Sequence, residues 1–211
     1  MEKHKIDITT SARYFTLGDP ENEEIEEIWF VLHGYGQLAN YFLKRFEVLD
    51  NGKRLIVAPE GLNRFYWNGF SGRVVASWMT KEDREVDIIN YVHYLDAIYN
   101  ELVGDRKVKI RLLGFSQGTA TACRWALLGK SKFSELILWA GAFPDDIDYF
   151  ENVDFFNQLD IKFVVGQQDQ FYTEDQILGH KKSMEAKGVK FELIEFEGDH
   201  NIFDAPLLGL I

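Results

Sequence analysis

Short apolar runs alternate with longer amphipathic segments along this chain. The apolar runs are bounded by turn residues and predict buried strands at residues 27–32, 54–58, 109–113, 135–140, 162–165 and 190–195. Segments with a period of about 3.6 residues predict helices at 39–49, 80–102, 117–128 and 173–186. Most of the strands are apolar on both faces, which is typical of a parallel sheet covered by helices on each side. We therefore expect a three-layer α/β architecture, with an N-terminal antiparallel hairpin over residues 5–17 at the sheet edge.

Length and charge limit the number of domains and the kinds of partner to be expected. The 211 residues contain 4 prolines and no linker or repeat, so one domain spanning residues 1–211 is expected. The net charge of −11 disfavours binding to nucleic acids and to anionic membrane surfaces. The chain has no apolar run of the roughly 18 residues needed to span a membrane, and its N-terminus lacks an apolar signal core. With only 1 cysteine as well, a cytoplasmic location is expected.

The pentapeptide Gly114-Phe115-Ser116-Gln117-Gly118 joins a predicted strand to a predicted helix. A serine in such a tight turn is presented at the carboxyl end of the sheet, and the glycines leave room for neighbouring backbone. The helix N-terminus directs free N–H groups and partial positive charge towards it. We interpret Ser116 as a nucleophile; the plainer alternative is a helix-capping serine.

A nucleophilic serine needs a base, and the base needs an acid that orients it. With this type of motif the acid and then the histidine follow the serine along the chain. Only His200 directly follows a predicted strand beyond Ser116, so we expect it to be the base. Asp169 follows the strand at 162–165 and is the expected acid. The alternative acids are Asp145, Asp146, Asp148 and Asp199.

Residues 33–37 (HGYGQ) follow the first central strand and form a candidate oxyanion loop. Acyl transfer requires N–H donors for the developing oxyanion, and we expect the backbone N–H groups of Tyr35 and Gln117. His33 is interpreted as a structural hydrogen-bonding residue rather than a second base. The glycine patterns of nucleotide-binding loops are lacking, and no residue spacing suggests a metal site.

Aromatic residues are concentrated between residues 61 and 79. We expect them to line an acyl-binding groove, because small-molecule sites are mostly apolar. The alternative is that some of these aromatic residues only cover the core. The expected substrate-binding residues are Phe65, Trp67, Phe70, Trp78 and Phe171.

On these motifs the chain resembles the phospholipase/carboxylesterase family of the α/β-hydrolase superfamily, which includes acyl-protein thioesterases. The matching residues are 32–36 (LHGYG), 114–118 (GFSQG), Asp169 and 198–200 (GDH), with Pro59 and 77–78 (SW) in support. The resemblance implies an α/β-hydrolase fold without a cap domain, no cofactor and, for many members, a homodimer. It also implies Ser116 as nucleophile, His200 as base and Asp169 as acid. The aromatic segment and Asp199 depart from the family pattern and leave the acyl preference open.

The expected activity is that of a serine carboxylesterase that hydrolyses small to medium acyl esters through an acyl-enzyme intermediate. The alternative enzymes are an acyl-protein thioesterase and a lysophospholipase, because the acyl half-reaction is the same. A non-catalytic binding module is the alternative of a different class, since fold does not fix function. The expected partner is a small-molecule acyl ester, with no nucleic acid and no integral membrane association.

Overall fold

The computed structural model describes residues 1–211 and contains nine strands and six α-helices. The strands are β1 (Tyr14–Leu17), β2 (Glu27–Leu32), β3 (Arg54–Pro59), β4 (Asn63–Asn68), β5 (Ser71–Ser77), β6 (Lys109–Phe115), β7 (Glu135–Trp139), β8 (Asp160–Gly166) and β9 (Glu192–Phe196). The helices are α1 (Ala39–Leu43), α2 (Arg84–Leu102), α3 (Gln117–Leu128), α4 (Val153–Phe156), α5 (Glu174–Ala186) and α6 (Asp204–Leu208). A 3₁₀ helix, Lys44–Leu49, continues directly from α1.

Seven strands form one sheet in the order β1-β3-β2-β6-β7-β8-β9. Only β1 is antiparallel to its neighbour, so the predicted mainly parallel sheet is confirmed. Because the other six strands run in the same direction, the loops after β2, β6, β8 and β9 all emerge at one edge of the sheet. That edge is where ligands bind in open α/β sheets.

The side chains of the central strands fill two hydrophobic cores, one on each face of the sheet. Successive residues of a strand point to opposite faces, so β2 places Phe30 in one core and Trp29 in the other. The larger core packs the sheet against α2, α3 and α5, and the smaller one packs it against α1, the 3₁₀ helix and α6. The expected three layers are therefore present.

Two regions differ from the sequence prediction. The hairpin expected over residues 5–17 is wrong: only β1 forms, and it pairs with β3 while residues 1–13 are exposed. The aromatic segment forms a separate antiparallel hairpin, β4–β5, that the apolar pattern did not indicate. Most residues of β4 and the first half of β5 are exposed. These two strands therefore lack the buried apolar run that predicts a strand from sequence. None of the helices combines the length and apolar character needed to cross a membrane.

Candidate active site

Ser116 occupies the turn between β6 and α3 in a strained backbone conformation. Its φ of 54° and ψ of −116° lie in a region that non-glycine residues rarely adopt, and such strain is concentrated at functional sites. The turn is possible because glycines flank it: a β-carbon at Gly118 would lie 2.2 Å from the carbonyl oxygen of Leu32. At Gly114 it would lie 2.3 Å from the carbonyl oxygen of Gly118. The motif glycines therefore permit the close packing that holds the serine at the sheet edge.

His200 and Asp169 meet at the same edge although they lie on different loops. Nδ1 of His200 is 2.7 Å from Oδ2 of Asp169. The Asp169 side chain is fully buried and that of His200 is 13% exposed. The other carboxylate oxygen of Asp169 accepts the backbone N–H of Phe171 at 2.8 Å. An ionised carboxylate only accepts hydrogen bonds, so Nδ1 carries the proton and Nε2 is left with a free lone pair.

Close contact between the loops after β8 and β9 brings these two residues together. The backbone N–H of Gln168 donates to the carbonyl of Gly198 at 2.9 Å. A β-carbon at Gly166 would lie 2.3 Å from that same carbonyl oxygen, so only glycine fits there. The His200 ring then packs against the rings of Phe115 and Phe171, with centroids 5.0 and 4.7 Å away. Because Phe115 precedes Ser116, this packing places the imidazole beside the serine turn.

Three of the four alternative aspartates have other partners, and Asp145 forms no bond to His200. Asp146 forms a two-pronged ion pair with Arg124, at 2.7 and 3.0 Å, and a further ion pair with Arg84. Asp148 accepts backbone N–H groups of its own turn, and Asp199 accepts the side-chain N–H of Asn201 at 2.8 Å. Asp169 is therefore the aspartate that the structure joins to His200.

The HGYGQ loop contains a backbone N–H, that of Tyr35, without an acceptor in the chain. The N–H groups of Gly34, Gly36 and Gln37 donate within the fold, to the Gln37 side chain, to Ala76 and to Gly34 respectively. The Tyr35 N–H donates to no group of the chain. Since a β-carbon at Gly34 would lie 3.1 Å from that of Ser116, this loop lies against Ser116. The Tyr35 N–H is therefore an unpaired donor on a loop that contacts Ser116.

Gln117 opens α3, and its backbone N–H belongs to the first turn, where helices have no internal acceptor. Its side-chain amide bridges to the segment that follows β5. Oε1 accepts the backbone N–H of Trp78 at 3.2 Å, and Nε2 donates to the carbonyl of Met79 at 3.1 Å. The side chain thus fixes the start of the helix while the main-chain N–H remains available.

His33 is a buried structural residue. The backbone N–H of Gly61 donates to its Nε2 at 2.9 Å, so Nδ1 carries the proton and donates to the carbonyl of Gly34 at 2.7 Å. Burial lowers the pKa of His33 from 6.5 to about 4, which keeps the ring neutral. Trp78 stacks on this ring and donates its indole N–H to the His33 carbonyl at 2.8 Å. Together these contacts hold the HGYGQ loop in place.

The aromatic residues expected to bind substrate have different environments. Trp78 is 1% exposed within the core, so it does not line a groove, and Phe70 is fully exposed at the hairpin turn. Phe65 and Trp67 pack on Tyr35 with centroids 5.5 and 6.0 Å away, at the rim of the site. Phe171 contacts the His200 ring. The alternative that some aromatics only complete the core therefore applies to Trp78.

A cavity of about 600 Å³ lies close to the serine turn, with Phe115 in its lining. Its lining is not predictable from a local motif, because those residues are scattered over five separate segments. Only Tyr35 was singled out, and for its backbone. The lining residues are Tyr35, Gly36, Gln37, Leu38, Tyr41, Phe42, Arg45, Arg73, Val74, Val75, Phe115, Asn201 and Ile202.

Comparison with solved structures identifies the fold. The structure of Zea mays acyl-protein thioesterase 2 matches with a TM-score of 0.70 and 15% identity, over 95% of this chain and 96% of that one. Arabidopsis thaliana SOBER1 matches with a TM-score of 0.68 and 16% identity, over 87% and 95% of the two chains. A phospholipase/carboxylesterase from Dyadobacter fermentans matches with a TM-score of 0.64 and 17% identity, over 97% of each chain. No protein-family model matches the sequence, and no curated protein does.

These matches confirm the predicted fold class. The likeness in fold extends over nearly the whole of this chain. Between β7 and β8 the chain adds only the four-residue helix α4, and no cap covers the serine turn. The chain therefore has the α/β-hydrolase fold, with the carboxyl edge of its sheet open apart from the β4–β5 hairpin.

Proposed function

We propose that the protein is a serine carboxylesterase that hydrolyses small to medium acyl esters. The observation that carries this proposal is the Asp169–His200 pair, whose imidazole packs against Phe115, the residue before the strained Ser116. A strained serine turn and a buried carboxylate on the histidine are both arrangements that activate a hydroxyl. The likeness in fold to thioesterases and carboxylesterases supports the same reaction class.

In the proposed reaction, Nε2 of His200 takes the proton of the Ser116 hydroxyl as its oxygen attacks the acyl carbon. Asp169 holds the imidazole in the required tautomer and stabilises the imidazolium. The N–H groups of Tyr35 and Gln117 stabilise the oxyanion, at about 3 kcal/mol for each donor. The imidazolium then protonates the leaving alcohol, and water, deprotonated by His200, releases the acyl group.

The resting chain has no hydrogen bond between the Ser116 hydroxyl and His200. Catalytic hydrogen bonds are often long before substrate binds and shorten in the reacting complex. We propose that occupation of the oxyanion site brings the serine oxygen and Nε2 within bonding distance.

The cavity near Ser116 is large enough to hold a small or medium acyl group. About 600 Å³ is within the range of sites for drug-sized molecules, and its lining includes polar as well as apolar groups. A long-chain thioesterase or lysophospholipase is the alternative, because its acyl-enzyme chemistry would be the same. The homodimer expected from the resemblance stays a prediction.

The test is the hydrolysis of p-nitrophenyl esters from acetate to palmitate, with wild type beside Ser116→Ala. We expect activity that is greatest at short or medium chains and is lost in the variant. An optimum at palmitate would favour the long-chain alternative. Activity that survives in Ser116→Ala would contradict the mechanism, and a wild type inert on every ester would favour the binding module.

A further inference from the structure

The cavity near Ser116 is lined both by apolar side chains and by two arginines. Phe115, which precedes Ser116, and Asn201, which follows His200, both line it, so the cavity adjoins the residues of the candidate triad. Arg45, from the 3₁₀ helix, and Arg73, from β5, also line it. Two guanidinium groups in one cavity are unusual on a chain whose net charge is −11.

These two arginines are set apart by the absence of protein partners. Neither Arg45 nor Arg73 forms a hydrogen bond or an ion pair within the chain. Arg73 lies over the ring of Trp67, 5.2 Å from its centroid, which orients the guanidinium and leaves its N–H groups free. The arginines that do have carboxylate or carbonyl partners are Arg13, Arg54, Arg64, Arg84, Arg106, Arg111 and Arg124.

Free guanidinium groups favour anions. The planar fork of an arginine matches two oxygens of a carboxylate or a phosphate, and hydrogen bonds between charged groups are stronger than neutral ones. On an acidic protein the long-range field repels anions, so recognition of one has to come from local cations. The two unpaired arginines provide such a local positive region beside the nucleophile.

The surroundings of the two arginines differ. Arg45 also borders a second depression that contains Glu197, Asp199 and Asp204, although none of these carboxylates forms an ion pair with it. They reduce the positive potential at Arg45. No acidic residue lines the cavity on the side of Arg73, so Arg73 should contribute more to anion binding.

We propose that this cavity binds an anionic group of the substrate, so that the preferred esters carry a carboxylate or a phosphate. This inference rests on the proposed function, because the ester has to lie at Ser116 while its anion reaches Arg73 and Arg45. The anion belongs either to the acyl chain or to the alcohol part. Both positions put the same chemistry against the two arginines, and different substrates distinguish them.

The kinetic test uses matched pairs of esters. For the acyl side, mono-4-nitrophenyl glutarate is compared with 4-nitrophenyl butyrate. For the alcohol side, the butyrate ester of 4-hydroxybenzoate is compared with that of methyl 4-hydroxybenzoate. We expect wild type to prefer the anionic member of at least one pair by about tenfold in kcat/KM, and less at high salt. The pair that shows the preference identifies the side that carries the anion.

Variants of the arginines assign the preference. Arg73→Gln should lower kcat/KM much more on the anionic ester than on its neutral partner and so abolish the preference, and Arg45→Gln should reduce the preference. Arg73→Lys should restore part of it, because the charge remains but the fork is lost. The matched control is Arg64→Gln, which removes an exposed arginine of the same hairpin whose partner is Glu60. It should leave the preference intact.

Equal rates on anionic and neutral esters would overturn the inference, as would an equal loss on both esters in Arg73→Gln. A second measurement does not depend on catalysis: the Tm of Ser116→Ala with glutarate or inorganic phosphate. A rise in Tm that disappears with Arg73→Gln would support anion binding even if no ester were hydrolysed and the proposed function failed. The lack of any rise would overturn the inference while leaving the esterase proposal untouched.

Discussion

Nδ1 of His200 lies 2.7 Å from Oδ2 of Asp169, across 31 positions of sequence. Asp169 is buried, and its second oxygen is held by the backbone of Phe171, so the carboxylate has little freedom to turn away. The bond to Asp169 fixes the orientation of the His200 imidazole, so that Nε2 can accept a hydrogen bond on the side of the serine turn. The first prediction follows from it directly.

Asp169→Asn should lower kcat on p-nitrophenyl butyrate by about 10⁴, because an asparagine can donate to Nδ1 and stabilise the wrong tautomer. The matched control is Asp199→Asn, which changes the carboxylate adjacent to His200 that bonds only to Asn201. That variant should keep kcat within a few fold of wild type. Near-normal activity of Asp169→Asn, or an equal loss in both variants, would transfer the acid role to another residue.

Removing the carboxylate of Asp146 should reduce stability rather than catalysis. The Arg124 side chain is 7% exposed, and Asp146→Asn would leave its charge without a partner in that environment. A fully buried pair broken in this way costs about 3–5 kcal/mol, and the effect here should be smaller because the Asp146 side chain is 34% exposed. Urea unfolding measures the loss. A kcat that falls as far as in Asp169→Asn would contradict the assignment of the acid.

The buried His33 predicts a pH dependence of stability. Its pKa is lowered from 6.5 to about 4 by burial, so between these values the unfolded chain binds a proton that the folded chain does not. Its contribution to the free energy of unfolding therefore falls as the pH drops from about 6.5 to about 4, by ~3 kcal/mol in total. Above pH 6.5 the contribution is constant.

Urea unfolding at several pH values, with wild type beside His33→Gln, measures this difference. The amide of glutamine can accept the Gly61 N–H without titrating. The stability of wild type should fall more steeply than that of the variant between pH 6.5 and 4. Parallel curves would show that His33 does not have the lowered pKa.

The glycines of the serine turn should tolerate no side chain. Gly118→Ala places a β-carbon 2.2 Å from the Leu32 carbonyl oxygen and 2.9 Å from that of His33, both rigid backbone atoms. We expect a large loss of stability and of activity. The control is Gly179→Ala in the exposed middle of α5, where a β-carbon meets nothing within 4 Å. That change should raise stability by about 0.5–1 kcal/mol, as expected for alanine in a helix. Equal Tm values for the two variants would contradict the packing described for the turn.

The sheet could be predicted because its strands are buried on both faces. The apolar run at β2 matches the strand residue for residue, and Gln117–Leu128 forms the predicted helix α3 with the same ends. The β4–β5 hairpin could not be predicted in this way, because its strands face solvent. Their aromatic residues suggest a substrate-binding groove instead of a pair of strands. Pairing of β1 with β3 is likewise a tertiary contact that no local pattern contains.

The sequence predicts those residues of the candidate site that lie within a short motif or directly after a strand. Ser116 and its glycines are contiguous, and His200 follows directly after a strand. The cavity was not found, since Arg45, Arg73 and Ile202 come together only through the fold. For Trp78 the prediction from sequence is wrong. Its aromatic character suggests substrate binding, but in the fold it stacks on the ring of His33 and donates a hydrogen bond to the His33 carbonyl.

The central claim is that Ser116 is an activated nucleophile. The direct measurement is labelling with a fluorophosphonate, followed by intact-mass analysis and peptide mapping, for wild type, Ser116→Ala and the exposed-serine control Ser183→Ala. We predict one label per chain on Ser116 in wild type and in Ser183→Ala, and none in Ser116→Ala. An unlabelled wild type, or a label that persists in Ser116→Ala, would contradict the account.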